Sequence, residues 1–177
     1  MLASGRFELR PFAESDLPSF VEAVLESTAT VGRWMSWAHA NYTTGDATSW
    51  FAHCEAEWER GSSYEFGIFD AGSNTLVGGC GLNQFNLVNG FCNLGYWVRQ
   101  SWQRQGAALA AVQALSQFAF AELKLGRVEI EAVNPEPQRS RVKAAPEWQL
   151  NKFNLTVPEA TLRSTGRWLT AGEGGYQ

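Results

Sequence analysis

The stretch GYWVRQSWQRQGAALAAVQALSQFAFAEL, Gly95 to Leu123, decides how the rest of the chain is read. Gly95-Tyr96-Trp97-Val98 reads as a short strand, Arg99 to Arg104 as a polar turn, and the residues from Gly106 onward as a long helix. In that helix Leu109, Val112, Leu115, Phe118 (or Ala119) and Leu123 recur at three- and four-residue steps, the spacing of one buried face. Its entry is Gln103-Arg104-Gln105-Gly106-Ala107-Ala108. Small residues let a ligand come close to the backbone, and first-turn N–H groups have no partner inside a helix. Such a turn suits phosphate oxygens.

Outward from this stretch the periodicity changes repeatedly. Phe7 to Pro11 reads as a strand closed by proline, and Glu14-Ser15-Asp16 followed by Leu17, Phe20, Val21, Val24 and Leu25 as a capped amphipathic helix. Val31 to Ala38 is loop-like and holds Trp34 and Trp37. A polar turn, Asn41 to Asp46, precedes a second helix from about Ala47 to Arg60, with Trp50, Phe51, Cys54 and Trp58 on one core-facing side. Alternation then predicts strands over Tyr64–Phe69, Thr75–Leu82 and Phe91–Val98, separated by turns at Asp70–Asn74 and Asn86–Gly90. After the long helix, Val128, Ile130 and Ala132 alternate with Glu129 and Glu131, a strand over Arg127–Val133 with one buried face. A helix joins the strands ending at Val98 and Val133, so they are expected to be parallel neighbours. The fold class is α/β, with a mixed, mostly antiparallel sheet of six to seven strands flanked by helices.

The chain has 177 residues, 45% of them apolar and 18% charged, the balance of one soluble domain over 1–177. A net charge of −4 gives no electrostatic reason to expect nucleic acid or an anionic membrane as partner. An acidic surface favours a cationic substrate. Cys54, Cys80 and Cys92 lack metal-like spacing, which points to reduced thiols in a cytoplasmic protein. His39 and His53 form no metal motif, and no apolar run is long enough to span a bilayer.

The entry to the long helix, with Gln103, Gly106 and Ala108 in the pattern Q/R-x-x-G-x-G/A after a GYWV strand, resembles the pyrophosphate-binding motif of the GCN5-related N-acetyltransferases (GNAT). The opening LRP…SDLPSFVEAV and the segment Arg33-Trp34-Met35-Ser36-Trp37 are similar to the ribosomal-protein-serine and -alanine acetyltransferase branch. The resemblance runs from about Phe7 to Asn134. It implies the GNAT fold, in which two parallel strands splay apart and acetyl-CoA sits in the wedge. It further implies cofactor contacts from Tyr96, Trp97, Val98, Gln103, Arg104, Gln105, Gly106, Ala107, Ala108, Leu109 and Asn134, with Arg99 or Arg104 adding charge. Trp34 and Trp37 would line the acceptor side. No metal is implied. Residues 135–177 diverge: Ser140 stands about three residues late, Pro146 interrupts a helical run, and Thr170–Gln177 has no apolar alternation. That segment is either a divergent acceptor-side loop or a stretch in a shifted reading frame.

The implied reaction moves an acetyl group from acetyl-CoA to a primary amine, the N-terminal α-amine of a protein being favoured. A small-molecule amine such as an antibiotic or polyamine is the alternative, as is a non-catalytic acyl-CoA-binding module. Candidate bases are Glu159 and Glu65, and Ser140 is the candidate proton donor to the thiolate. No cysteine has a histidine partner in sequence, so direct transfer in a ternary complex is expected over an acyl-enzyme. A monomer or homodimer fits.

Overall fold

The computed structural model describes residues 1–130, together with the backbone of 149–151 and 154–156. Eight strands and three helices follow in the order β1 (Leu2–Ser4), β2 (Phe7–Arg10), α1 (Leu17–Glu26), α2 (Thr44–Arg60), β3 (Tyr64–Asp70), β4 (Thr75–Asn86), β5 (Phe91–Val98), α3 (Ala107–Ala121), β6 (Arg127–Glu129), β7 (Gln149–Asn151) and β8 (Asn154–Thr156). They form one sheet in the order β1-β2-β3-β4-β5-β6-β8-β7. Every neighbouring pair is antiparallel except β5–β6, which is parallel as the crossover by α3 requires. Strands β1, β7 and β8, of three residues each, are not expected from the sequence, being too short to show an alternation.

The strands β3 and β4 are buried on both faces, because helices cover the sheet on either side. On one face α3 packs Ala111, Val112, Leu115 and Ala119 against Leu9, Ile68, Leu82, Leu94 and Val128. On the other, α1 and α2 pack Phe20, Val24 and Ala47 against Phe69 and Leu76. Burying each large aliphatic or aromatic side chain stabilises the fold by about 1.5–3 kcal/mol.

Local chemistry sets the helix ends. A short 3-10 turn, Glu14–Asp16, precedes α1. Asp16 does not cap α1; its carboxylate accepts the Ala13 N–H (2.8 Å) and pairs with Arg10. The second helix begins at Thr44 rather than near Ala47, because Thr43 and Asp46 form a reciprocal capping box. Asp46 Oδ2 accepts the Thr43 N–H (2.8 Å), and Thr43 Oγ1 accepts the Asp46 N–H (3.2 Å). Gly61 ends α2 in the left-handed region (φ 68°).

Parallel pairing between β5 and β6 covers only Phe91–Asn93 against Arg127–Glu129. From there β5 continues to Val98 along β4, while β6 has ended. Among the described residues no strand pairs with β5 beyond Asn93 on that side.

Candidate active site

The edge of β5 turned away from β4 has no strand partner beyond Asn93 among the described residues. Arg99 N–H donates to Val77 O (2.9 Å). Antiparallel pairing alternates, so Trp97 with Gly79 and Gly95 with Gly81 are the pairs that exchange hydrogen bonds. The N–H and C=O of Tyr96 and the N–H of Val98 therefore face away from β4, while Val98 C=O, on the same edge, accepts Gln103 Nε2 (3.4 Å). There they can bind an extended amide-bearing chain as an added strand would.

Immediately after β5, the Arg99 guanidinium is held by Glu22 (2.6 Å) and Glu26, and its side chain is 12% exposed. Burial works against the Glu26 carboxylate, but hydrogen bonds from Ser101 and Arg99 outweigh it and hold its pKa below the ordinary range. Arg99 thus ties α1 to the start of the α3 approach and is not free to meet a phosphate. Arg104, whose φ is +62°, is exposed and lies on the cleft.

Gly106 is the N-cap of α3, with φ 90° and ψ −2°, a conformation that glycine adopts without strain. No side chain caps the helix. The Ala110 N–H is the first to close back, onto Gly106 O (3.0 Å), so those of Ala107, Ala108 and Leu109 precede the intrahelical ladder. A Cβ on Gly106 would meet nothing within 4 Å. This turn lines a cleft of about 920 Å³ that extends past Trp102 to Tyr96, Trp97 and Val98, and across to Arg33, Trp34 and Met35. A diphosphate at the helix start and an extended arm along β5 fit these donors. Main-chain N–H groups at a helix start bind phosphate oxygens without a side-chain ligand.

A second cavity, of about 560 Å³, shares Met35, Tyr96 and Trp97 with the cleft. Gly79 and Gly95 line it, on a glycine-rich sheet face. Glu65 and Gly67 on β3, Gly79 and Gly81 on β4, and Gly95 and Trp97 on β5 are cross-strand partners on one sheet face. A Cβ on Gly79 would stand 2.6 Å from Trp97 Nε1, and one on Gly81 would overlap the Glu65 carboxylate. Bare backbone therefore lets an indole and a carboxylate lie flat in the middle of a sheet. Trp97 is braced edge-on by Phe20 (5.7 Å between centroids) and Trp37 (5.6 Å).

Glu65 is largely buried, and burial pushes its carboxyl pKa up, while hydrogen bonds from Asn83 and Ser63 act the other way. Oε1 accepts both Ser63 Oγ (3.0 Å) and Asn83 Nδ2 (3.2 Å). Asn83 Oδ1 in turn accepts Asn93 Nδ2 (2.9 Å), which fixes the amide so that its NH₂ faces Glu65. The result is a hydrogen-bonded carboxylate with raised proton affinity lining the cavity.

Tyr96, Trp97, Val98, Gln103, Arg104, Gly106, Ala107, Ala108 and Leu109 all line the cleft. Gln105 is exposed and bonds to Ser101 O (2.9 Å). Trp37 lines the second cavity, whereas Trp34, three residues away, lies on the cofactor cleft under Arg33. Asn134, Ser140 and Glu159 lie outside the described residues, as do the expected strand residues beyond 130 and the run from Pro158 to Trp168. Phe12, Tyr42 and Asn83 also line the second cavity without having been singled out in the sequence. Trp50, read from its helical spacing as core, packs on the α1–α2 core but also walls that cavity, and His53 stacks on it (5.5 Å). The rings among them have aromatic content as their only sequence signal, and Asn83 has none.

Comparison with known proteins agrees with this geometry. The family described as Acetyltransferase (GNAT) domain matches residues 6–144. The Bacillus subtilis (strain 168) protein named "Putative ribosomal N-acetyltransferase YdaF" is 27% identical over 137 residues, 75% of this chain and 72% of that one. Among solved structures, a putative ribosomal-protein-serine acetyltransferase from Vibrio cholerae is 30% identical with a TM-score of 0.68, covering 76% of this chain and 74% of the other. RimL, a ribosomal L7/L12 alpha-N-protein acetyltransferase in complex with coenzyme A, is 25% identical with a TM-score of 0.64 over 72% and 71% of the two chains. A family match over that span settles the matter: the chain belongs to the GNAT acetyltransferase family and is an N-acetyltransferase that draws its acetyl group from acetyl-CoA.

Proposed function

We propose that the acceptor is the N-terminal α-amine of a protein, in the manner that the names of the ribosomal-protein relatives suggest, and that transfer is direct within a ternary complex. The observation that carries this reading is the second cavity: it meets the cofactor cleft at Tyr96 and Trp97 and holds one buried carboxylate, Glu65. Acetyl-CoA supplies the acetyl group as an activated thioester. The protein's part is to hold its diphosphate on the N–H groups of Ala107, Ala108 and Leu109, with Arg104 adding charge. The Tyr96 and Val98 backbone would align the arm, and an N–H there polarises the thioester carbonyl as negative charge develops on its oxygen.

Glu65 takes the proton from the incoming ammonium. An α-amine with a pKa near 8 costs about 1.4 kcal/mol to neutralise at pH 7, whereas a lysine costs about 4.6 kcal/mol. One carboxylate whose pKa is raised by burial suits the first far better than the second. A covalent acetyl-enzyme is disfavoured because the three cysteines are buried and their thiols held protonated. Burial pushes Cys54 and Cys92 to about 12 and Cys80 well above its ordinary value. Asn134, Ser140 and Glu159 remain candidates for arm binding, proton donation and an alternative base. Among the described residues no helix is long and apolar enough to cross a membrane.

Thiol release from acetyl-CoA, measured with peptides bearing free N-termini, the same peptides blocked at the N-terminus, and polyamines, tests the acceptor class. Turnover only with free N-termini is expected. Turnover confined to polyamines or other small amines would overturn the assignment, and acetyl-CoA binding without turnover on any acceptor would mean a binding module.

A further inference from the structure

The second cavity is far larger than an acetylated serine or alanine terminus needs. At about 560 Å³ it falls in the range that holds drug-sized ligands, and its walls are mostly aromatic. Trp37 remains 37% exposed beside Trp97, and Tyr42 stands edge-on to it at 6.4 Å. Of the glycines on this sheet face, Gly79 and Gly95 line the cavity, and Gly95 differs from the others. Side chains at Gly67, Gly79 and Gly81 would collide with Phe69, Trp97 and Glu65, so those glycines are needed by the fold around them. A Cβ on Gly95 would meet nothing within 4 Å, and its backbone is not in the left-handed region. Neither packing nor conformation demands glycine there. What a side chain at 95 would occupy is the cavity.

We infer that Gly95 sets the size of the acceptor admitted to this cavity, and that the reacting amine is carried next to a bulky apolar or aromatic group lying over Gly95 against Trp37 and Trp97. The inference deepens the proposed function: it rests on this cavity being the acceptor site, not on the acceptor being a peptide. Aromatic walls reward a ring or branched aliphatic group by area and by edge-to-face contact, and the adjacent ammonium gains from the ring faces before Glu65 removes its proton.

The test is steady-state kinetics with matched amine pairs: peptides with N-terminal phenylalanine or serine, and phenethylamine or ethylamine. Acetyl-CoA affinity, measured by calorimetry, serves as the check that each variant is folded. The native enzyme should favour the bulky member in kcat/KM by about ten-fold or more, the scale a fitted apolar pocket gives. Gly95→Val should lower that bulky-to-small ratio by about ten-fold or more. Gly95→Ala, whose methyl meets nothing, should lower it less. A native preference for the small members, or a ratio unmoved by Gly95→Val, would overturn the inference. Phenethylamine used with peptides ignored would sink the peptide assignment and leave this inference standing. Peptides used without regard to size would do the reverse.

Discussion

Replacing Glu65 by Gln is expected to lower kcat/KM by about 10²- to 10⁴-fold, the contribution of a positioned general base, with acetyl-CoA affinity essentially unchanged. The amide keeps the shape and one acceptor oxygen, so Ser63 and Asn83 retain their partner; only the proton-accepting capacity goes. The same variant should be more stable than the native protein near neutral pH. Folding raises the Glu65 pKa above its unfolded value, so the fold binds the proton more tightly than the unfolded chain does. The native protein then has its full stability below the unfolded pKa and loses part of it as pH rises through the folded one. Gln has no such loss. Melting temperatures of the two proteins should converge in acid and separate, with the Gln form higher, as pH approaches 7. The acidic limb of the native pH–rate profile should lie above the ordinary carboxylate range and vanish in the variant. Unchanged activity would transfer the base role to another residue; a less stable Gln variant at neutral pH would mean that the charge is satisfied rather than held under strain.

Gly106→Val is expected to weaken acetyl-CoA binding by about ten-fold or more, a loss of at least about 1.4 kcal/mol. At φ 90° a β-branched residue is strained by about 1–3 kcal/mol, and the backbone escapes by rotating the turn. Rotation redirects the N–H groups that open α3. If the turn holds instead, the branched side chain fills space that is empty around Gly106, on the cleft side where a diphosphate would lie. Both outcomes reduce affinity. Gly106→Ala should show the strain with less of the obstruction, and thermal unfolding with and without acetyl-CoA separates the two effects.

The cofactor half of the site was legible because it is local. A strand, a turn and a helix start lie within fifteen consecutive residues, and the left-handed Gly106 and the uncapped donors of α3 follow from residue types at fixed spacing. The acceptor half is non-local. Glu65 could be named as a carboxylate on the meander, but its value depends on Gly81 and Asn83 on the neighbouring strand, and strand register is not written in either strand alone. Trp34 and Trp37 looked like one feature three residues apart, yet they serve different cavities because the loop turns between them. Arg99 resembled a phosphate ligand until the packing of α1 placed Glu22 and Glu26 on it. Capping chemistry at Thr43 and Asp46 carried α2 three residues further back than its apolar face indicates.

The account rests on main-chain donors at the start of α3, and amide chemical shifts read them directly. In ¹⁵N-labelled protein titrated with coenzyme A, the amide protons of Ala107, Ala108 and Leu109 should shift downfield by the largest amounts in the chain, while acetyl-pantetheine, which lacks the diphosphate, should leave them in place. Shifts confined to β5, or the same movement with both ligands, would contradict a diphosphate held at this helix terminus.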